Sequence, residues 1–93
     1  MHIGLLVIEF HLEGCSSLKE KRRRLSGLRD RYGRHTNIAV CESGYQDSHQ
    51  KAEWSFVAAA TDAKGLSRTL DDIEKSIDAT VDARIAHMSR ETL

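Results

Sequence analysis

The chain opens on a run that is apolar on both of its alternating faces. Gly4, Leu6, Ile8, Phe10 and Leu12 fall on one side of an extended strand; Ile3, Leu5 and Val7, then Glu9 and His11, fall on the other. Side chains alternate along a strand, so this pattern predicts a central strand over residues 3–12, covered on both faces for most of its length. Past Gly14 the period changes. Leu18, Leu25, Leu28 and Tyr32 share one stripe at helical spacing, which predicts a helix over residues 17–32. Ser17 and Glu20 stand at the S-x-x-E spacing of a capping box, and Gly33 stands where a left-handed closing residue is favoured. Period two returns over residues 37–43, with Ile38, Val40 and Glu42 opposite Ala39, Cys41 and Ser43.

A polar connection, Gly44 to Gln50, leads into a third strand over 52–61. There Trp54, Phe56, Ala58 and Ala60 alternate with Ser55, Val57, Ala59 and Thr61, and the two rings are expected in the core. Asp62 is the expected N-cap of a second helix over 63–78, whose stripe is Leu66, Leu70, Ile73 and Ile77. A last strand is read over 80–88, with Val81, Ala83, Ile85 and His87 on one face, which leaves 89–93 as a loose tail.

The order β-α-β-β-α-β is the split βαβ, ferredoxin-like arrangement of the α+β class. Right-handed crossovers put both helices on one face of a four-stranded antiparallel sheet. Ninety-three residues are one domain's length, so 1–93 is read as a single ferredoxin-like domain. The opposite sheet face then carries Ile3, Leu5 and Val7 without a helix over it. A soluble chain rarely leaves a large apolar patch bare, so this face is an expected interface, for a second copy or another protein.

Composition adds little until charge is mapped along the chain. Fourteen basic and fourteen acidic residues cancel, yet the segment Lys19–Arg34 holds eight basic groups against Glu20 and Asp30 alone, a net of +6. These eight are Lys19, Lys21, Arg22, Arg23, Arg24, Arg29, Arg31 and Arg34. Arg22 and Arg29 share one flank of the apolar stripe, Arg24 and Arg31 the other, and Lys19 and Arg23 point between them to solvent. A basic helix meets phosphates by releasing their counterions, so Lys19, Lys21, Arg22, Arg23, Arg24, Arg29 and Arg31 are the candidate nucleic-acid contacts. The competing expectation is that the acidic second helix (Asp71, Asp72, Glu74, Asp78) neutralises the first. No K/R-G-F/Y-G/A-F-V-x-F/Y pattern is present, so base stacking on the sheet is not expected.

Nothing points to catalysis. Glu42, Asp47 and His49 crowd one polar stretch, but their spacing matches no motif with a mechanism, and a turn is the simpler reading. His11 and Cys15 lie close in sequence without the further ligands that zinc needs, so no metal or cofactor is expected. Two cysteines make no disulfide framework, and no signal peptide or membrane span is read; the expected place is the cytoplasm.

Two stretches carry a resemblance. Ser17-Leu18-Lys19-Glu20-Lys21-Arg22 follows the first strand directly, and Glu42-x-Gly44-x-x-Asp47-x-x-Gln50-x-Ala52 spans the later hairpin. Together they resemble the YlxP-like family, small bacterial proteins of unknown function. The resemblance implies a ferredoxin-like fold and no established enzymatic activity. It also implies an accessory role in translation, since genes of the family often neighbour those for ribosome maturation and initiation. Three features depart from the family's usual look: Cys15, the extension of the basic run by Arg23 and Arg24, and the aromatic Glu53-Trp54-Ser55-Phe56. The expectation is therefore a non-enzymatic factor that binds RNA or a ribosomal particle through the first helix. The alternatives are a protein-interaction or homodimerisation module using the open sheet face, and, by analogy of fold, a small-ligand or metal-sensing domain.

Overall fold

The computed structural model describes residues 1–93. The elements run β1 (His2–His11), α1 (Leu18–Tyr32), β2 (Ile38–Gly44), β3 (Lys51–Ala60), α2 (Ala63–Thr80) and β4 (Arg84–Thr92). The strands form one antiparallel sheet in the order β2-β3-β1-β4, with β3 and β1 central. This is the α+β, ferredoxin-like arrangement.

The alternation in β1 and β3 decides where the core lies. Leu6, Ile8, Phe10 and Leu12 from β1 and Ala52, Trp54, Phe56 and Ala58 from β3 are all buried on the helix-covered face. The stripes Leu25, Leu28, Tyr32 of α1 and Leu66, Leu70, Ile73, Ile77 of α2 close over them as one cluster. Each large apolar side chain removed from water contributes about 1.5–3 kcal/mol, so these two rows are the main stabilising element. Tyr32 meets Phe56 edge-on, centroids 5.4 Å apart at 82°. Gly4 lets α2 settle close on β1: a Cβ there would stand 2.9 Å from Leu70 Cδ1.

The caps repay comparison with the pattern. Ser17 Oγ accepts from Glu20 N at 3.1 Å, but the Glu20 carboxylate reaches back to Ser16 N rather than to Ser17 N. Asp62 Oδ1 accepts from Gly65 N at 2.6 Å, as its N-cap position predicts. Gly33 is right-handed, φ −65°, and not left-handed; its N–H continues the helix to Arg29 O. A glycine stands there for room, since a Cβ would lie 2.5 Å from that carbonyl oxygen.

The C-terminal part differs most from its sequence reading. The helix runs on to Thr80 and β4 begins only at Arg84. Residues 89–93, read as a loose tail, instead continue β4: Ser89 pairs with Val7, Arg90 with Leu6 and Thr92 with Gly4, and Leu93 N donates to Ile3 O at 2.8 Å. The register shifts between Glu9 and Phe10, which pair with His87 and Ile85, so Ala86 is extra. A bulge moves later side chains to the other face, and Ile85 and His87 therefore lie on opposite faces instead of one. An edge strand with a solvated face has little apolar signal, which is why Ser89-Arg90-Glu91-Thr92 reads as tail.

Candidate functional site

Lys21 organises the region where the two sequence stretches meet. It is expected among the phosphate contacts, but it is 3% exposed. Its Nζ donates to Tyr45 O at 2.7 Å and to Ser48 O at 2.9 Å, and lies 3.5 Å from Glu42 Oε2. Two of the ammonium's three protons go to these carbonyls, and the Glu42 carboxylate balances its charge. The clamp holds the β2–β3 turn, in which Tyr45 takes the left-handed φ of 59°. The signal was in the spacing: Lys21, Leu25, Leu28 and Tyr32 form one buried stripe. Of the other hairpin residues, Gln50 contributes its backbone and Gly44 its lack of a side chain. Gln50 O accepts from Leu12 N at 2.8 Å, and Gly44 lies where a Cβ would press on Glu53 at 3.2 Å.

The arginines divide by flank. Arg24, side chain 13% exposed, donates to Asp82 O and to Glu13 O, both at 2.9 Å, and lies 3.3 Å from Asp82 Oδ2. Arg31 donates to Ser76 Oγ at 2.6 Å and Thr80 Oγ1 at 2.9 Å on α2. Both are thus engaged within the fold: the charge of Arg24 is paired, whereas Arg31 is held by hydroxyls, stays exposed and meets no carboxylate within 4.0 Å. Lys19, Arg22, Arg23 and Arg29 are exposed and have no carboxylate within 4.0 Å. Nor does α2 neutralise α1. Its Asp71 and Glu74 pair with Arg90 of β4, at 2.9 and 2.7 Å. Burial pulls the Arg90 guanidinium's pKa down, but those two carboxylates outweigh it and hold the value above the ordinary range.

Between the free flank and the turn lies a groove of about 480 Å³. Arg22, Ser26 and Arg29 line it from α1, Glu42 from β2, and Gln46 and Asp47 from the turn; Leu18, Leu25 and Trp54 supply apolar surface. The Arg29 guanidinium stands 6.0 Å from the Trp54 ring centroid. Trp54 is buried as predicted, yet its Nε1–H finds no acceptor in the protein. Glu42 and Asp47 come together here; His49 does not join them.

The remaining sequence candidates separate. His11 Nε2 lies 3.2 Å from Glu13 Oε2, while Cys15 is buried and its thiol donates to Ser17 O. When that thiol turns instead to Glu20, it, the Ser16 N–H and the charges of Arg24 and Arg23 hold the Glu20 carboxyl below the usual carboxylate range. On the open sheet face, Leu5 and Val7 are half-buried, and Ile3 and Val57 are 37% and 39% exposed. The other end of this face is polar: Tyr45 Oη donates to Glu9 Oε1 at 3.3 Å, and the charge of Glu9 raises the phenol's pKa above its usual value. No helix is long and apolar enough to cross a membrane.

The family model described as "Protein of unknown function (DUF503)" matches residues 3–90. The chain belongs to this family. A relative, the "Uncharacterized protein YlxP" of Bacillus subtilis (strain 168), is 29% identical over 77 residues, 83% of this chain and 84% of its own. The resemblance carried by the two stretches agrees with both comparisons. In this family member the stretches are one physical unit, because Lys21 of the first binds the carbonyls and Glu42 of the second.

Proposed function

We propose that the chain is a non-enzymatic RNA-binding accessory factor of translation, which grips phosphates of structured RNA or a ribosomal particle with α1. One observation carries the reading: Lys19, Arg22, Arg23 and Arg29 are exposed and free of carboxylates, on a chain whose net charge is zero. These four cations stand on one helix, within the Lys19–Arg34 segment whose net charge is +6. Trp54 and Phe56 face the helices, which supports contact through phosphates over base stacking on the sheet. Four phosphate contacts give a slope of log K against log salt of about −3.

The test is a salt titration with ribosomal particles and structured RNA, comparing wild type with an Arg22→Glu/Arg23→Glu/Arg29→Glu variant. Steep salt dependence, lost in a variant that keeps its circular dichroism, is the expected result. Equal binding by the variant, or none by wild type at low salt, overturns the reading.

The exposure of Ile3 and Val57 beside Leu5 and Val7 favours a second reading, self-association through the open face. It predicts a dimer by light scattering that Val57→Lys converts to monomer. A monomer at high wild-type concentration removes it.

A further inference from the structure

The groove beside α1 is built unlike a surface that meets phosphates alone. Its α1 wall offers Arg22 and Arg29, seven residues apart and so about 10.5 Å along the helix axis, with the Asp30 carboxylate beside Arg29 at one end. The facing wall offers acceptors: Asp47, which has no hydrogen-bond or ion-pair partner, and Gln46, whose amide nitrogen is engaged with Glu42 O while its carbonyl oxygen is free. A carboxylate facing the two free arginines repels a phosphate chain laid across both walls. The pair of walls instead suits one ligand that is anionic at one end and rich in N–H donors at the other. The volume of about 480 Å³ lies within the range of about 300–1,000 Å³ usual for small-molecule sites. A second observation points the same way: Trp54 lines this groove, is 5% exposed, and keeps an Nε1–H with no acceptor in the protein.

We infer that the groove receives a single unstacked guanine nucleotide of the bound RNA, phosphate on Arg22 and Arg29, base edge on Asp47. This deepens the RNA-binding reading and rests on it. Unpaired RNA bases are read on their Watson–Crick edges. Guanine presents two neighbouring donors there, N1–H and N2–H, which match the two oxygens of one carboxylate. Adenine places an acceptor beside its single amino group and meets Asp47 with repulsion at one of the two positions. Lys21 is a positioning residue in this scheme: by holding Tyr45 O and Ser48 O it sets the turn that carries Asp47.

Charge alone and base recognition predict opposite signs for one substitution. Removing the acid at Asp47 strengthens binding if the helix meets only phosphates, and weakens binding of guanine-bearing RNA if the base is held. The experiment uses the full chain and three labelled RNA hairpins of equal length, with a bulged guanosine, a bulged adenosine or no bulge. Anisotropy reads affinity, and emission of Trp54, the chain's one tryptophan, reads the groove. A bidentate base contact discriminates by about 1–3 kcal/mol, so the guanosine hairpin is expected to bind about tenfold tighter than the adenosine one. It also shifts Trp54 emission most, and Asp47→Asn abolishes the preference. Equal affinity for the two bulges, tighter guanosine-hairpin binding by Asp47→Asn, or bound RNA with unaltered Trp54 emission overturns the inference and leaves the RNA reading standing. No binding of any hairpin or of ribosomal particles overturns both.

Discussion

Arg24 and Arg31 stand on one flank of α1 and Arg22 and Arg29 on the other, each pair seven residues apart. The first pair is drawn into the fold. Arg24 bridges Glu13 and Asp82, two loops far apart in sequence, and Arg31 crosses to the hydroxyls of α2. The second pair overlooks a groove and meets no carboxylate within 4.0 Å. Residue type and spacing are the same, so neither explains the difference. What differs is the neighbour. One flank packs beside α2 and the loop that follows it, whereas the other faces an edge strand and a turn. A count of basic residues therefore overstates the charge offered to a partner.

The largest effect that bears on this contrast is expected at Lys21, which belongs to neither flank and holds the groove's far wall. Lys21→Met leaves Tyr45 O, Ser48 O and Glu42 without their donor, and should cost about 2–4 kcal/mol in urea unfolding. Wild-type stability in that variant would break the account of the clamp. Next comes Arg24→Gln, which loses a largely buried set of charged hydrogen bonds. Its stability should fall by about 1–2 kcal/mol, with the salt slope of RNA binding unchanged. The mirror experiment, Arg22→Gln/Arg29→Gln, should keep stability within about 0.5 kcal/mol and reduce that slope by about 1.5. If the single and the double variant exchange these outcomes, the division between flanks is wrong.

The smallest effect is a pH dependence at Glu20. Its carboxyl has a lower pKa folded than unfolded, so its contribution is complete above the ordinary carboxylate value and disappears as pH falls through the folded one. Glu20→Gln should lower neutral stability slightly while leaving stability at acid pH unaltered, and so flatten the acid side of a stability–pH curve. An unchanged acid limb would remove the Cys15, Ser16 and arginine contacts as the cause.

Strands β1 to β3 and both helices were legible because their apolar residues repeat at the period of the element. The row Leu6, Ile8, Phe10, Leu12 and the stripe Leu66, Leu70, Ile73, Ile77 each specify one buried face. Strand β4 was legible only as a strand, because a bulge changes its alternation midway and its outer residues are polar. The candidate site was legible in part. The flank assignment of Arg22 and Arg29 followed from helical geometry, and Ile3, Leu5 and Val7 do lie on the open face. Lys21 was assigned by its charge when its stripe position, in line with Leu25 and Leu28, decided its fate. Asp47 and Trp54 as walls of one groove had no signal at all, since they come from a turn and a central strand.

The sequence by itself determined the elements, their order and, outside β4, the face each one buries, because period and apolar burial are local properties. The tertiary structure alone decided which cations are free. A salt bridge or a clamp depends on which backbone carbonyl or carboxylate arrives within about 3 Å. That distance is set by helix and strand packing among residues 11 to 58 positions apart.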